Sequence, residues 1–406
     1  MDSFGLLGRT LGHSWSPEIH KQLVGYPYDL FEVEPEDVEH FLSATELSGM
    51  NVTIPYKKTV LPFCATLSDA AKAIGSVNTL VRTAQGWHGD NTDYAGFADL
   101  VKSVGVPVTR KKALIFGTGG ASLAVLAALR DMGADPVIRI SRSGPDRYDD
   151  LEKHADASIL VNATPVGMYP KNGVSVVDLS AFPACEAVFD LIYNPLKTKL
   201  ILDAEARGIP AAGGLLMLVG QARRSAEQFA GIEIPDDRVR EITVDLARSM
   251  RNIVLIGMPG CGKTTVGREL ANRLSREFTD ADAVIAERAG MDIPSIFAAE
   301  GESGFRVRET AVLSDLGKRS GLVIATGGGC VTRPENAPLL RQNGVTVWIK
   351  RALEKLPTDG RPLSQKNSVE AMYRARKELY ADFADIVVES DEVLEHTIDL
   401  ILEELP

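Results

Sequence analysis

The chain has no apolar run approaching the ~20 residues needed to cross a bilayer, and Met1-Asp-Ser-Phe lacks the basic start of a secretory signal. Low-complexity tracts and short internal repeats are missing too. The four cysteines, Cys64, Cys185, Cys261 and Cys330, lie far apart with no C-x-x-C spacing. That excludes a zinc ribbon and a disulfide framework, and predicts reduced thiols in a cytoplasmic protein. Basic residues are in deficit: 44 Lys and Arg stand against 55 Asp and Glu, for a net charge of -11. Such a surface repels phosphate backbones, so no nucleic-acid or membrane partner is expected. Any anionic ligand must be held by local clusters of basic and N–H groups.

What is present is length and pattern. At 406 residues the chain exceeds what one core usually serves, so two or three domains are expected. The clearest signal is Gly257-Met-Pro-Gly-Cys-Gly-Lys263-Thr264, which follows the apolar run 253–256 and precedes a helical pattern over 265–274. It satisfies G-x-x-x-x-G-K-[ST], a loop whose bare backbone curls N–H groups around phosphate oxygens. Gly260, Cys261, Gly262, Lys263, Thr264 and Thr265 would line a nucleoside triphosphate, with Thr264 also a magnesium ligand.

The first hundred residues carry weaker pieces. A strand over 4–8 leads to His13-Ser14-Trp15-Ser16 and a helix opening at Ser16-Pro17, with Ser16 as its cap. Two hydroxyls there make a small anion nest or plain capping. A strand is expected at 29–33, then a helix from Pro35. Next, Met50-Asn-Val-Thr53-Ile-Pro-Tyr-Lys57 predicts a strand with Asn51 and Thr53 on one face, opposite Val52 and Ile54, ending at Pro55. Gly75-Ser-Val-Asn78-Thr79 and Gly89-Asp90-Asn91-Thr92-Asp93 follow, Asp93 starting a helix through Gly96, Phe97 and Leu100. Taken together, H-S-x-S-P, N-V-T-x-P-x-K, G-x-V-N-T and D-N-T-D resemble the catalytic domain of shikimate dehydrogenase. Lys21 stands after His20 where that family often has asparagine. The resemblance implies that Ser14 and Ser16 hold the substrate carboxylate, and Thr53, Asn78 and Asp93 its ring hydroxyls. It makes Lys57 and Asp93 the catalytic pair, with Lys57 able to deliver a proton to the carbonyl oxygen as hydride arrives.

An apolar strand over 112–116 empties into Gly117-Thr-Gly119-Gly120-Ala121-Ser122, a G-x-G-x-x-G-like turn with serine in the third glycine position. The next strand, 136–140, ends in Ser141-Arg142-Ser143. An arginine there suits a 2′-phosphate, hence NADP rather than NAD, although Asp146 lies close by. Further matches to the dehydrogenase pattern, Asn162-Ala163-Thr164-Pro-Val-Gly-Met168 and Tyr193-Asn-Pro-Leu-Lys-Thr198, follow strands at 159–161 and 187–191. They imply that Ala163, Thr164 and Met168 flank the cofactor, with Gly214 beside it, and that Tyr193 and Gln221 reach substrate.

After the phosphate loop, F-x-D-x-D at 278–282, G-E-x-x-F-R-x-x-E at 301–309, Gly327-Gly328-Gly329, Gly360-Arg361-Pro362-Leu363 and Arg376-x-x-x-Tyr380 resemble shikimate kinase. Asp280 and Asp282 are expected on one face of a short strand, and the Arg361 segment as a lid. The resemblance implies magnesium at Asp280, the accepting hydroxyl at Asp282, and the shikimate carboxylate between Arg306 and Arg376. Glu309 supports Arg306, Gly328 and Gly329 approach the ring, and Lys263 and Arg361 meet the moving phosphoryl group. Two departures stand out: Ser364 replaces the second leucine of R-P-L-L, and Glu354 sits where an adenine-stacking arginine often stands, with Arg351 or Lys355 nearby.

The expected architecture is α/β throughout. A two-lobed dehydrogenase (1–103 with 214–248 around a Rossmann-type NADP lobe at 104–213) precedes a three-layer P-loop kinase at 251–406. The implied ligands are NADP(H), ATP and Mg2+, and the small-molecule substrates 3-dehydroshikimate and shikimate. The competing expectations are an NAD-preferring quinate/shikimate dehydrogenase and a non-catalytic sensing module in the second half.

Overall fold

A computed structural model describes residues 2–12, 14–356, 369–391 and 393–406. The expected lid, with Arg361 and Ser364, lies outside the described residues, as does His13. Two units separate, one of residues to Tyr193 with Thr198–Leu246, the other of Asn194–Lys197 with Ala247–Pro406.

The first unit holds two sheets. β1 (Phe4–Gly8), β2 (Tyr28–Glu32), β3 (Gly49–Val52), β4 (Cys64–Leu67), β5 (Thr79–Thr83) and β6 (Gly86–Asp90) form a mixed sheet in the order β2-β1-β3-β5-β6-β4. β7 (Ala113–Phe116), β8 (Val137–Ile140), β9 (Ile159–Asn162), β10 (Ala187–Asp190) and β11 (Ala211–Ala212) form a parallel sheet ordered β11-β10-β9-β7-β8. Every residue of β7, β9 and β10 is buried, as parallel strands covered on both faces require. Ala113 and Ile115 pack with Phe97, Leu100 and Val125, while Leu114 and Phe116 pack with Leu200 and Ile201. Alternation along one strand therefore feeds two apolar layers. The strand order reverses at β7, so its carboxyl end is the crevice where doubly wound sheets bind ligands.

The helices Asp93–Val104 and Leu215–Ala230 bring the two sheets' polar ends together. They cross at glycines: a Cβ on Gly96 would lie 2.6 Å from the Met217 carbonyl oxygen, and one on Gly220 3.3 Å from Gly96 Cα. This near approach delivers Gln221 to the first sheet.

The second unit is one parallel sheet of β12 (Asn252–Ile256), β13 (Phe278–Asp280), β14 (Val323–Ala325), β15 (Gly344–Lys350) and β16 (Ile386–Glu389), ordered β13-β14-β12-β15-β16. β12 is buried at every residue and stands at the reversal, so its carboxyl end opens into the glycine loop. A Cβ on Gly267 would sit 2.5 Å from the Phe278 ring, so the helix Lys263–Leu274 lies close upon β13.

Several local expectations change. Ser16 is the first helical residue rather than the cap, because Trp15 takes that position and Ser14 Oγ accepts from Ser16 N at 3.3 Å. β3 stops at Val52, short of Thr53 and Pro55; it is buried on both faces, and Ile54 turns outward at 78% exposure. Asp282 is on a helix (Ala281–Ala289), not a strand, since the Asp280 carboxylate caps that helix by accepting from Asp282 N at 3.0 Å.

Candidate active sites

In the first unit, polar side chains gather where β3 and β5 meet the amino end of Asp93–Val104. Lys57 Nζ donates to Asp93 Oδ2 at 2.5 Å, with the two side chains only 17% and 6% exposed. Asn78 steadies the acceptor, its Nδ2 donating to Asp93 Oδ1 at 2.9 Å and to Thr92 Oγ1 at 3.0 Å. Its Oδ1 takes the Thr92 N–H at 2.8 Å, which orients the amide. Gln221 Oε1 accepts from Asn78 Nδ2 at 3.4 Å. Lys57, Asn78, Asp93 and Gln221 are thus one cluster, while Thr53 is half-buried just beyond β3.

Ser14 and Ser16 are joined Oγ to Oγ at 3.2 Å. Behind them Tyr28 donates to Asn51 Oδ1 at 2.8 Å, and Ser225 from the long helix donates to the same oxygen at 3.3 Å. His20 stacks on Tyr28 with ring centroids 4.0 Å apart, and its burial pushes the imidazole down to about 3.

The glycine turn after β7 faces this cluster. A Cβ on Gly120 would lie 3.6 Å from Lys57 Cβ and Cδ, and one on Gly119 would meet nothing within 4 Å. Gly117 holds φ at 113°, a conformation suited to glycine. Ser122 substitutes for the third glycine by donating its hydroxyl to the Gly119 carbonyl at 2.7 Å. The turn after β8 closes on itself, with Ser141 Oγ accepting from Gly144 N at 2.6 Å, and it leaves Arg142 and Ser143 exposed. Asp146 is engaged by His154 Nε2 at 3.2 Å. Ala163 and Thr164 are half-buried next to Gly117, Met168 is 44% exposed, and Tyr193 is half-buried with its hydroxyl pKa raised by burial. Gly214 is a packing requirement: a Cβ there would strike the Leu191 carbonyl at 2.2 Å. The turn presents bare backbone at Gly119 and opens the helix Gly120–Asp131, so its residues fit the pyrophosphate of a dinucleotide.

In the second unit, a cavity of about 520 Å³ lies over the carboxyl ends of β12 and β14, lined by the phosphate loop, both aspartates, Arg306, Gly327–Gly329 and Arg376. Lys263 is 8% exposed, and its Nζ donates to the Gly257 and Met258 carbonyls at 2.9 and 3.0 Å. Among the described residues it forms no ion pair, so a buried ammonium there matches an anionic ligand. Thr264 Oγ1 donates to Asp280 Oδ2 at 2.8 Å. Asp282 Oδ1 is buried and lacks a hydrogen bond among the described residues, and burial followed by the neighbouring Asp280 raises its pKa. Arg306 Nη1 donates to Glu309 Oε2 at 2.7 Å and Nη2 to Glu302 at 3.2 Å, while its Nε is buried and has no hydrogen bond among the described residues. Burial pushes the Glu309 carboxyl up to about 7 against the pull of Arg306. Arg376 Nη1 donates to the Gly328 carbonyl at 3.1 Å, and Tyr380 donates to the same oxygen. A Cβ on Gly329 would overlap the Arg306 guanidinium at 1.9 Å, which is why bare backbone stands there.

Sequence reading gave no role to Thr92, Glu302 or Phe297. Glu302 was legible as the i,i+4 partner of Arg306. Phe297 lines the cavity from the first part of the helix Ile293–Gly317, ahead of its kink at Gly301 (φ 70°), and no local pattern announces that placement. Of the adenine-side candidates, Arg351 lines the cavity, whereas Glu354 and Lys355 are exposed.

Fold and site define a chain in which a two-lobed α/β unit with a dinucleotide-type glycine turn precedes a P-loop α/β unit with an arginine-lined acceptor cavity. A family model for the shikimate dehydrogenase substrate binding domain matches residues 6–80, and one for shikimate kinase matches residues 259–406. Shikimate dehydrogenase (NADP(+)) of Clostridium perfringens is 33% identical over 267 residues, covering 61% of this chain and 98% of that protein. Among solved structures, shikimate dehydrogenase 1 from Peptoclostridium difficile is 36% identical with a TM-score of 0.57, over 61% of this chain and 98% of that one. The Thermus thermophilus shikimate 5-dehydrogenase, solved with NADP(H) and shikimate, is 31% identical with a TM-score of 0.55, over 60% and 99%. The chain therefore belongs to the shikimate dehydrogenase family over its first part and continues into a shikimate kinase domain.

Proposed function

We propose that this chain is a bifunctional enzyme of the shikimate pathway. Its first half (1–103 with 214–248 as substrate lobe, 104–213 as cofactor lobe) reduces 3-dehydroshikimate to shikimate. Its second half (251–406) phosphorylates shikimate at the 3-hydroxyl. The observation that carries the reading is the buried Lys57–Asp93 pair facing the Gly119–Gly120 edge, on the same chain as Lys263, which among the described residues has no acidic partner, over an arginine-lined cavity.

NADPH, when bound, supplies the hydride; Lys57 donates a proton to the ketone oxygen, and Asp93 orients both the ammonium and the reacting hydroxyl. Ser14 and Ser16 take the carboxylate, Thr53, Asn78 and Gln221 take ring hydroxyls, and Tyr193 closes the substrate side. Gly117, Gly119, Gly120 and Ala121 cradle the pyrophosphate, with Ala163, Thr164, Met168 and Gly214 towards the nicotinamide end. Ser141, Arg142 and Ser143 recognise the 2′-phosphate. His154 supports this preference by engaging Asp146, which leaves Arg142 to the ligand.

In the second half ATP, when bound with magnesium, supplies the phosphoryl group. Gly260 to Thr265 and Lys263 surround the phosphates. Thr264 and Asp280 hold the metal; among the described residues no three acidic, His or Cys groups are placed to bind it alone, so water and phosphate oxygens must complete its shell. Asp282 accepts the hydroxyl proton. Arg306, propped by Glu309, and Arg376 clamp the carboxylate through their forked donors, with Gly328 and Gly329 against the ring. Arg361 falls outside the described residues and keeps the phosphoryl-charge role given by the motif. The enzyme is placed in the cytoplasm.

The test is a one-pot assay from 3-dehydroshikimate, NADPH and ATP, read as shikimate 3-phosphate. NADP+ formation without ADP would leave only the dehydrogenase, and equal rates with NADH would remove the NADP assignment.

A further inference from the structure

Three carboxylates are among the fully or nearly fully buried described residues: Asp93, Asp190 and Glu309, at 4%, 0% and 0% exposure. Asp93 pairs with Lys57 and Glu309 with Arg306. Asp190, the last residue of β10, meets only neutral donors among the described residues. Oδ1 accepts from Asn162 Nδ2 and from Ile192 N, each at 3.0 Å, and Oδ2 accepts from Thr198 Oγ1 at 2.7 Å. Burying a carboxylate without a cation is costly, and burial pushes this one up to about 6.

The consequence lies in what those donors do next. Because Asn162 points its amino group at Asp190 and at the Val166 carbonyl (3.1 Å), its oxygen is committed to the other side. There it accepts from Thr164 N at 3.0 Å and Thr164 Oγ1 at 2.7 Å, and Thr164 Oγ1 takes the Val166 N–H at 3.2 Å. The Oδ1 acceptor of Asp190 thus fixes the polarity of the whole Asn162–Met168 turn. Other turns rest on this one. A Cβ on Gly117 would lie 2.9 Å from the Ala163 carbonyl, one on Gly167 3.5 Å from Thr198 Cβ, and Gly214 N donates to the Ile192 carbonyl at 2.9 Å.

We infer that Asp190 is a positioning residue for hydride transfer: its carboxylate locks the turns after β7, β9 and β10 into one rigid frame around the nicotinamide end of the cofactor site. This rests on the dehydrogenase reading. Asp190 itself touches neither ligand, and its effect runs through Asn162, Thr164 and Gly117.

The experiment compares wild type, Asp190→Ala and Asp190→Asn in NADP-dependent shikimate oxidation by the full chain. Binding of adenosine 2′,5′-bisphosphate is measured alongside, as a probe of the Arg142 end. Asp190→Ala is expected to lower kcat about 10²-fold, the size of loss that misplacing reacting groups by about 1 Å can produce. Affinity for the bisphosphate should hold within about twofold, because Arg142 sits on a separate, self-bonded turn. Asp190→Asn keeps an acceptor for Ile192 and Asn162 and can donate to Thr198, so it should recover most of the lost kcat. If Asp190→Ala turns over like wild type, or loses bisphosphate binding in step with kcat, the inference is overturned, the latter result marking general unfolding. Absence of turnover in wild type would instead remove the dehydrogenase reading beneath it.

Discussion

The two catalytic regions solve opposite electrostatic problems. Around Lys57 the charges cancel internally: ammonium meets carboxylate at 2.5 Å, and the surrounding groups are amides and hydroxyls. Around Lys263 the ammonium itself forms no ion pair among the described residues and rests on carbonyls, although the same cavity holds Asp280 and Asp282 and pairs Arg306 with Glu309 and Glu302. A proton-coupled reduction needs a pair with its geometry already set, whereas phosphoryl transfer needs positive charge held ready for an anion that the ligand brings. The lesson is that burial of a lysine says little until its partners are named.

The harshest test of that contrast is reciprocal. Lys263→Ala should lower phosphorylation at least about 10³-fold and leave dehydrogenation intact, since it removes the main charge on the transferring group. Lys57→Ala should do the reverse, lowering dehydrogenation about 10³-fold through loss of the general acid. The two rates measured on each purified variant decide it, and loss of both in either variant would mean the halves are not independent.

A finer test separates charge from fork geometry. Arg306→Lys keeps a cation opposite the buried Glu309 but cannot present two parallel donors. The KM for shikimate in the kinase assay should rise about tenfold or more, by the ~1.5–3 kcal/mol of a charged hydrogen bond, with kcat changing less. Arg142→Ala probes the same idea on the dehydrogenase side, where the arginine is exposed and solvent competes. The loss of preference for NADP over NAD should be about tenfold, read from the ratio of kcat/KM values.

Much of this was legible because motif residues sit at strand ends. The apolar run 253–256 falls within β12 and the G-x-x-x-x-G-K-T after it leads into the helix Lys263–Leu274, while Lys57, Asn78 and Asp93, named from short patterns and the resemblance they carry, lie in one hydrogen-bonded cluster. What escaped depends on contacts between distant segments or on capping. Gln221 was named from the resemblance as reaching substrate, but its bond to Asn78, 143 residues away, depends on Gly96 and Gly220 letting two helices nearly touch. Asp282 was expected on a strand because alternation over 278–282 looks extended, yet the Asp280 side chain ends that strand by capping a helix. The polarity frame set by Asp190 was hidden for the same reason, as nothing in D-L-I-Y says that its carboxylate finds Asn162.

The mildest expected effect concerns pH, where burial acts with opposite sign on a histidine and on carboxyls. In the first unit, burial lowers His20 to about 3 from 6.5, so the unfolded chain binds the extra proton first. Stability from that group is complete above about 6.5 and is lost as pH falls from there. Glu309, in the second unit, runs the other way: raised from 4.5 to about 7, it contributes most when protonated, and stability drains as pH rises through that window. Asp190 shares the Glu309 sign between about 4 and 6, so whole-chain melting curves blur the contrast. Substitution sharpens it. His20→Phe keeps the stack on Tyr28 but gives up the 2.6 Å bond to the Tyr26 hydroxyl, so it should melt somewhat lower at pH 7. Its Tm should then fall less than that of wild type between pH 6.5 and 5. An equal fall in both proteins would show that His20 is not what makes this unit acid-sensitive.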